Sequence, residues 1–182
     1  MRFSVSVLAA LLLFTTASAG LTIRESQTSF QLYAYGEGLG GLTLFSAGGN
    51  AYLGDYKLLN DSQAAPVLFT TTEDAWLGSP NTTNLPGSDV PTWSHYTLAV
   101  PSDQSSSHQV IFLESSSDLA SGLVTNCFTF YGTIAFVVTA SGKMESLWYA
   151  VPSDTEGVYT LKWNDQSGKG VILIIKSTPP SN

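Results

Sequence analysis

The chain has 182 residues, with 14 acidic against 7 basic side chains and a formal net charge of −7 at pH 7. That balance argues against nucleic acid and anionic membrane as partners, because both are held by clustered Lys and Arg. With Cys127 as its only cysteine the chain can form no internal disulfide, so stability has to come from a buried core, for which one domain of this length is sufficient.

At the start, Met1-Arg2 precedes the apolar run Val5 to Phe14 and the small residues Ala17-Ser18-Ala19. A charged start, a short hydrophobic segment and an A-x-A site make a signal peptide over residues 1–19, cleaved after Ala19. The run is shorter than the roughly 20 residues that span a bilayer. The expected product is secreted, extracellular or held in the cell wall, with no membrane segment after cleavage. Residues 20–178 then form a single domain, and 179–182 a short disordered tail.

The first strand is read in "SFQLYAY", where Phe30, Leu32 and Ala34 alternate with Gln31, Tyr33 and Tyr35. Directly after it, Gly36, Gly38 and Gly41 have the spacing G-x-G-x-x-G. A dinucleotide fingerprint needs a helix after the third glycine, to offer its N-terminal amides to the pyrophosphate. Gly41 instead leads into "LTLFSAGGNAYLGDY", two short strands joined by a Gly48-Gly49-Asn50 turn. No cofactor is therefore expected, and the glycines serve backbone geometry.

Beyond the sequon Asn60-Asp61-Ser62 comes the strand "APVLFTTT" and then "EDAWLGSPNTTNLPGSDVPTW". This segment carries Pro80, Pro86 and Pro91 and reads as one long loop, because proline cannot donate to a ladder. It holds a second sequon, Asn81-Thr82-Thr83, so Asn60 and Asn81 are the expected glycosylation sites. Further alternating runs are "HYTLAV", "HQVIFLE", "LVTNCFTFY", "IAFVVTA", "SLWYAV", "GVYTLKWND" and "GVILIIK", with "PSDQSSSH" as a turn. About ten to twelve short strands and no helical period mean an all-β domain, either a β-sandwich or a closed β-barrel, with a β-trefoil compatible with the strand count. The expected core includes Phe30, Leu32, Phe128, Phe130, Tyr159, Leu161 and Trp163, with Cys127 packed as a small hydrophobe.

Catalytic templates are missing from the sequence: it has no G-x-S-x-G, no H-E-x-x-H and no complete P-loop. His95 and His108 stand apart without a cysteine cluster, so no metal site is expected. Among the acids, Asp103 could join His108 and a serine only by arrangement in space. Glu73 and Asp74 are adjacent and point to opposite faces of any strand, and spacing leaves Glu37, Asp55, Asp61, Glu114 and Glu145 open as a hydrolase pair. Aromatics offer a different chemistry. Tyr33 and Tyr35 lie on the face opposite the core residues of the first strand, and Trp76 and Trp93 bracket the proline-rich segment. These four are the expected ligand-binding residues, since flat rings with a polar edge suit sugars.

The segments "FQLYAYGEGLGGLTLFSAGGNAYLGD", "FTFYG" and "GKMESLWYAVPSDTEGVYTLKWND" together resemble the secreted, uncharacterised small proteins of filamentous ascomycete fungi and, more distantly, the phialide-type fungal cell-wall proteins. The shared pattern is F-x-L-x-A, a glycine turn, an "AYLGD"-like strand and a late "LWYAVP…GVYTLKW" pair. The single cysteine departs from the several expected of the cell-wall relatives. The resemblance implies an extracellular or wall location and brings no catalytic residues. The expected function is a secreted non-catalytic protein of the fungal cell surface with weak polysaccharide binding. A secreted effector or allergen-like protein acting on a host surface molecule is the alternative, and a glycoside hydrolase the second alternative.

Overall fold

The computed structural model describes residues 28–72, 75–85, 90–114 and 121–181. The signal-peptide reading of residues 1–19 lies outside the described residues, as do Glu73, Asp74 and Pro86. The described chain is all-β. In order its strands are β1 (Tyr33–Gly36), β2 (Leu39–Ala47), β3 (Asn50–Gly54), β4 (Ala65–Thr72), β5 (Ala75–Pro80), β6 (Tyr96–Pro101) and β7 (Ile111–Leu113). They continue with β8 (Leu123–Val124), β9 (Phe128–Tyr131), β10 (Ile134–Val138), β11 (Met144–Glu145), β12 (Trp148–Pro152), β13 (Val158–Trp163) and β14 (Val171–Lys176).

The pairings close on themselves. Neighbours run β1-β2-β4-β5-β6-β7-β3-β13-β12-β14, and β14 pairs back onto β1 from Tyr33↔Lys176 to Gly36↔Leu173. The ring is a closed antiparallel β-barrel of ten strands, one of the architectures that the alternation allows; β8, β9, β10 and β11 are attached to it. A direct β2–β3 ladder, from Leu44↔Leu53 to Ala47↔Asn50, also joins two strands that the outer path separates. The turn in that hairpin is Gly48-Gly49, where the glycine-rich reading put it. Of the G-x-G-x-x-G glycines, Gly41 has φ +73°, and a Cβ built there would come within 2.7 Å of Pro180. The expected tail is thus described as far as Ser181, with Pro180 lying on Gly41.

Alternation explains most of the wall. In β4 the buried residues are Ala65, Val67 and Phe69, and in β13 Leu161 and Trp163 alternate into the main core, while Val158, of the opposite parity, is buried on the other face. β2 is different, with Leu44, Phe45, Ser46 and Ala47 all buried. Leu44 faces the main core, whereas Phe45 and Ala47 belong to a small separate cluster with Ala64 and Val158, against which Tyr56 and Leu59 pack. The segment after β3 supplies that cover. Asp55 caps a 3-10 turn over Tyr56–Leu58, its Oδ1 accepting from the Lys57 N–H at 3.1 Å.

The sequence reading needs correction between residues 75 and 80. Those residues are not loop but β5, paired with β4 from Thr72↔Ala75 to Val67↔Pro80 and with β6 at Leu77↔Thr97. Pro80 is the last residue of the strand, where its missing N–H interrupts little of the ladder. "LVTNCFTFY" likewise splits into β8 and β9, with Cys127 between them. The barrel interior is rich in aromatic rings: Trp76 has Phe30 at 5.1 Å, Phe130 at 4.7 Å, Phe128 at 5.1 Å and Phe69 at 6.2 Å, centroid to centroid. Trp148 and Trp163, opposite each other in the β12–β13 ladder, meet edge to face at 4.7 Å.

Candidate functional site

With Ala34 inside the barrel, the two-residue period sends Tyr33 and Tyr35 to the outer wall. The register shows what joins them there. Tyr35 is opposite Ile174 of β14, Ile172 of β14 is opposite Tyr149 of β12, and Tyr149 is opposite Lys162 of β13. Paired residues share a face, so Tyr35, Ile174, Ile172 and Tyr149 form a diagonal stripe across three strands. Strand spacing and rise put the two tyrosine Cα atoms roughly 12 Å apart. Ile172 is 68% and Ile174 46% exposed, an unusual arrangement for two adjacent outward isoleucines on a regular strand.

One end of the stripe is polar. The Tyr35 hydroxyl donates to the Thr178 carbonyl at 2.9 Å, and Lys176 Nζ lies 5.1 Å from the centre of the Tyr35 ring. A groove of about 460 Å³ opens there, with Gly40, Thr133 and Pro180 also in its walls. Tyr33 does not line that groove but a separate one of about 190 Å³, with Thr43, Tyr56 and Asn81, and its hydroxyl is 3.4 Å from Gln31 Oε1. Burial, and secondarily the neighbouring Tyr35, push the Tyr33 phenol above its ordinary range. It therefore stays protonated, able both to donate and to accept.

Trp76 and Trp93 do not join this face, contrary to the sequence reading. Trp76 is 3% exposed and is an inward residue of β5, surrounded by the rings described above. Trp93 is 8% exposed; its Nε1–H donates to the Gln63 carbonyl at 2.8 Å, and its ring lies 6.3 Å from Phe112. Trp76 is enclosed by the core, whereas Trp93, though largely buried, lines a separate concavity of about 340 Å³ with Gln63, Thr92, Tyr96 and Phe112. Tyr149 was not singled out from the sequence, although "SLWYAV" alternates Trp148 and Tyr149 in the manner that sends one in and the other out.

The chain matches no family model, no curated protein and no solved structure. Function has to be read from the geometry.

A second concavity, of about 380 Å³, lies among the ends of β6, β8, β10 and β11. Trp163, Cys127, Val100, Val124 and Val137 line it, with Asp103, Asn126 and Glu145 as polar groups. Cys127 is buried, and burial pushes its thiol up to about 12, so it is a neutral wall group and not a nucleophile. The cleft brings Glu145, one of the carboxylates that spacing had left open, together with Asp103. Glu145, however, is held by Lys143 at 2.7 Å. His108 points elsewhere, its Nδ1 3.1 Å from the Trp163 carbonyl, and His95 Nδ1 is 2.7 Å from Ser94 Oγ. Among the described residues no group of three His, Cys, Asp or Glu is placed to hold a metal. Asn60 is exposed just after the 3-10 turn, and Asn81 is half-buried, its Oδ1 accepting from Thr83 N–H at 3.1 Å.

Proposed function

We propose that the protein is a non-catalytic, extracellular binding protein of the fungal cell surface that holds wall polysaccharide on the outer wall of its barrel. The observation that carries this reading is the stripe Tyr35, Ile174, Ile172 and Tyr149 on hydrogen-bonded strands. A face carried by a closed barrel wall is fixed before any ligand arrives, so little ordering cost falls on binding. Phenol rings supply flat apolar surface with a hydrogen-bonding edge, matching a sugar ring that has an apolar face and a rim of hydroxyls. The adjoining groove adds the Lys176 ammonium and the Thr133 side chain as polar partners. The acidic net charge is compatible with neutral glucan, chitin or mannan and unfavourable to polyanions.

Sedimentation with insoluble glucan, chitin and mannan tests the reading, using the parent and a Tyr35→Ala/Tyr149→Ala variant shown by circular dichroism to be folded. The parent is expected in the pellet of at least one polymer and the variant in the supernatant. Equal retention of both, or of neither, defeats the proposal. Release of soluble reducing sugar from the pellet would point instead to the hydrolase reading.

A further inference from the structure

We infer that the cleft over Trp163 is a second binding site, independent of the outer wall, for a small amphipathic cation: an amine with a compact apolar body. Its volume of about 380 Å³ falls in the range of small-molecule sites, and barrel ends are a common place for them. The floor, made by Trp163, Cys127, Val100 and Val137, contains no charged group and suits hydrocarbon. Because the thiol stays neutral, the cleft has no nucleophile there and binding is non-covalent.

The polar groups of the cleft give the sign of the ligand. Asp103 and Glu145 both line it, and Lys143 pairs with Glu145 at 2.7 Å. That pair is electrically balanced. Asp103 belongs to no ion pair among the described residues and leaves one negative charge beside an apolar floor. A ligand that buries hydrocarbon against Trp163 and presents an ammonium to Asp103 complements both features at once. The net charge of −7 acts in the same direction, drawing cations and repelling anions.

Calorimetry with three probes of one shape tests this: phenethylamine, 2-phenylethanol and 3-phenylpropionate. The amine should bind about fivefold tighter than the alcohol, the increment of a partly exposed charge pair, with the carboxylate weakest. Asp103→Asn should bring the amine down to the alcohol and leave the alcohol unchanged. Ala140→Trp, an exposed position on the cleft wall, should weaken all three, while Tyr35→Ala/Tyr149→Ala should affect none. The inference is overturned if no probe binds, if amine and alcohol bind equally, or if either cleft variant behaves as the parent does.

Discussion

Replacing Trp76 by alanine is the most searching test of the barrel, because it asks whether this ring is core or ligand surface. Burying a tryptophan removes about 150–250 Å² from water, and at about 25 cal/mol per Å² that is roughly 4–6 kcal/mol. Measured truncations of buried aromatics cost about 3–5 kcal/mol, the spread reflecting how far the site collapses. Collapse is hindered here. The four rings around Trp76 come from the segment before β1, from β4 and from β9, and backbone pairing fixes them in place: Phe30 and Phe69 exchange N–H···O bonds at 3.0 and 2.8 Å, and Phe128 and Phe130 sit in the β9–β10 ladder. The upper part of the range, about 4–5 kcal/mol, is therefore expected. With a urea slope of about 2 kcal/mol per M, the unfolding midpoint should fall by about 2 M. Far-UV circular dichroism is the assay, since removing an indole alters emission directly. Trp76→Phe, which keeps part of the ring packing, should lose roughly half as much. Midpoints within about 0.5 M of the parent for both variants would place Trp76 outside the core and refute the assignment of β5.

Cys127 should resist iodoacetamide at pH 8 in the native protein and react in urea, with a rate ratio on the order of a thousandfold from the thiolate fractions alone. Native labelling at the unfolded rate, or a melting temperature that falls when dithiothreitol is added, would contradict a buried, unpaired thiol. Asp165 makes a pH prediction. Burial pushes its carboxyl upward, but the Ser167 N–H at 3.0 Å, the Ser167 hydroxyl and the Lys162 ammonium outweigh that and hold it below the ordinary carboxylate range. A carboxylate with a lowered folded value stabilises above its unfolded value of about 3.9 and loses that contribution as pH falls through the folded one. Asp165→Asn should therefore be less stable than the parent at pH 7, with the gap narrowing below about pH 4. A gap that is the same at pH 7 and pH 3 would refute this.

Much of the wall was legible because period two is imposed by the barrel itself: one face meets the core and the other does not. β4 matched its reading at both ends, and "GVYTLKWND" gave β13 with Leu161 and Trp163 inside. β5 was hidden by two things. Three prolines in one segment suggested that the whole of it was loop, although only Pro80 belongs to the strand, at its end. Its inward positions are Trp76 and Gly78, so the second inward residue carries no apolar signal. That glycine is required there, because a Cβ would come within 2.7 Å of Val67 Cγ1 and 3.0 Å of the Phe112 ring. The partner of Trp93, Gln63, is 30 residues away, a distance at which spacing carries no information. The stripe was half legible. Tyr35 followed from alternation and Tyr149 could have, but "VILIIK" is apolar at nearly every position, so its outward isoleucines emerge only once β1 and β12 fix the register.

The ladder between β1 and β14 has a consequence for how the molecule comes into being. β1 pairs on one edge with β2 as soon as that strand is made, but its other edge is covered only by the last described strand, more than 130 residues later, and β12 and β10 also wait for that same strand. Until Val171–Lys176 has been synthesised, the growing chain carries open edges on both sides of the gap, the condition in which β-proteins pair with the wrong partner. Completion is therefore a single late event, and a stop codon before Val171 would yield an unsealed sheet rather than a smaller barrel. The same adjacency makes the two ends interchangeable: joining them by a short linker and opening the chain at an exposed turn such as Gly132 would keep every ladder while changing which strand is born last.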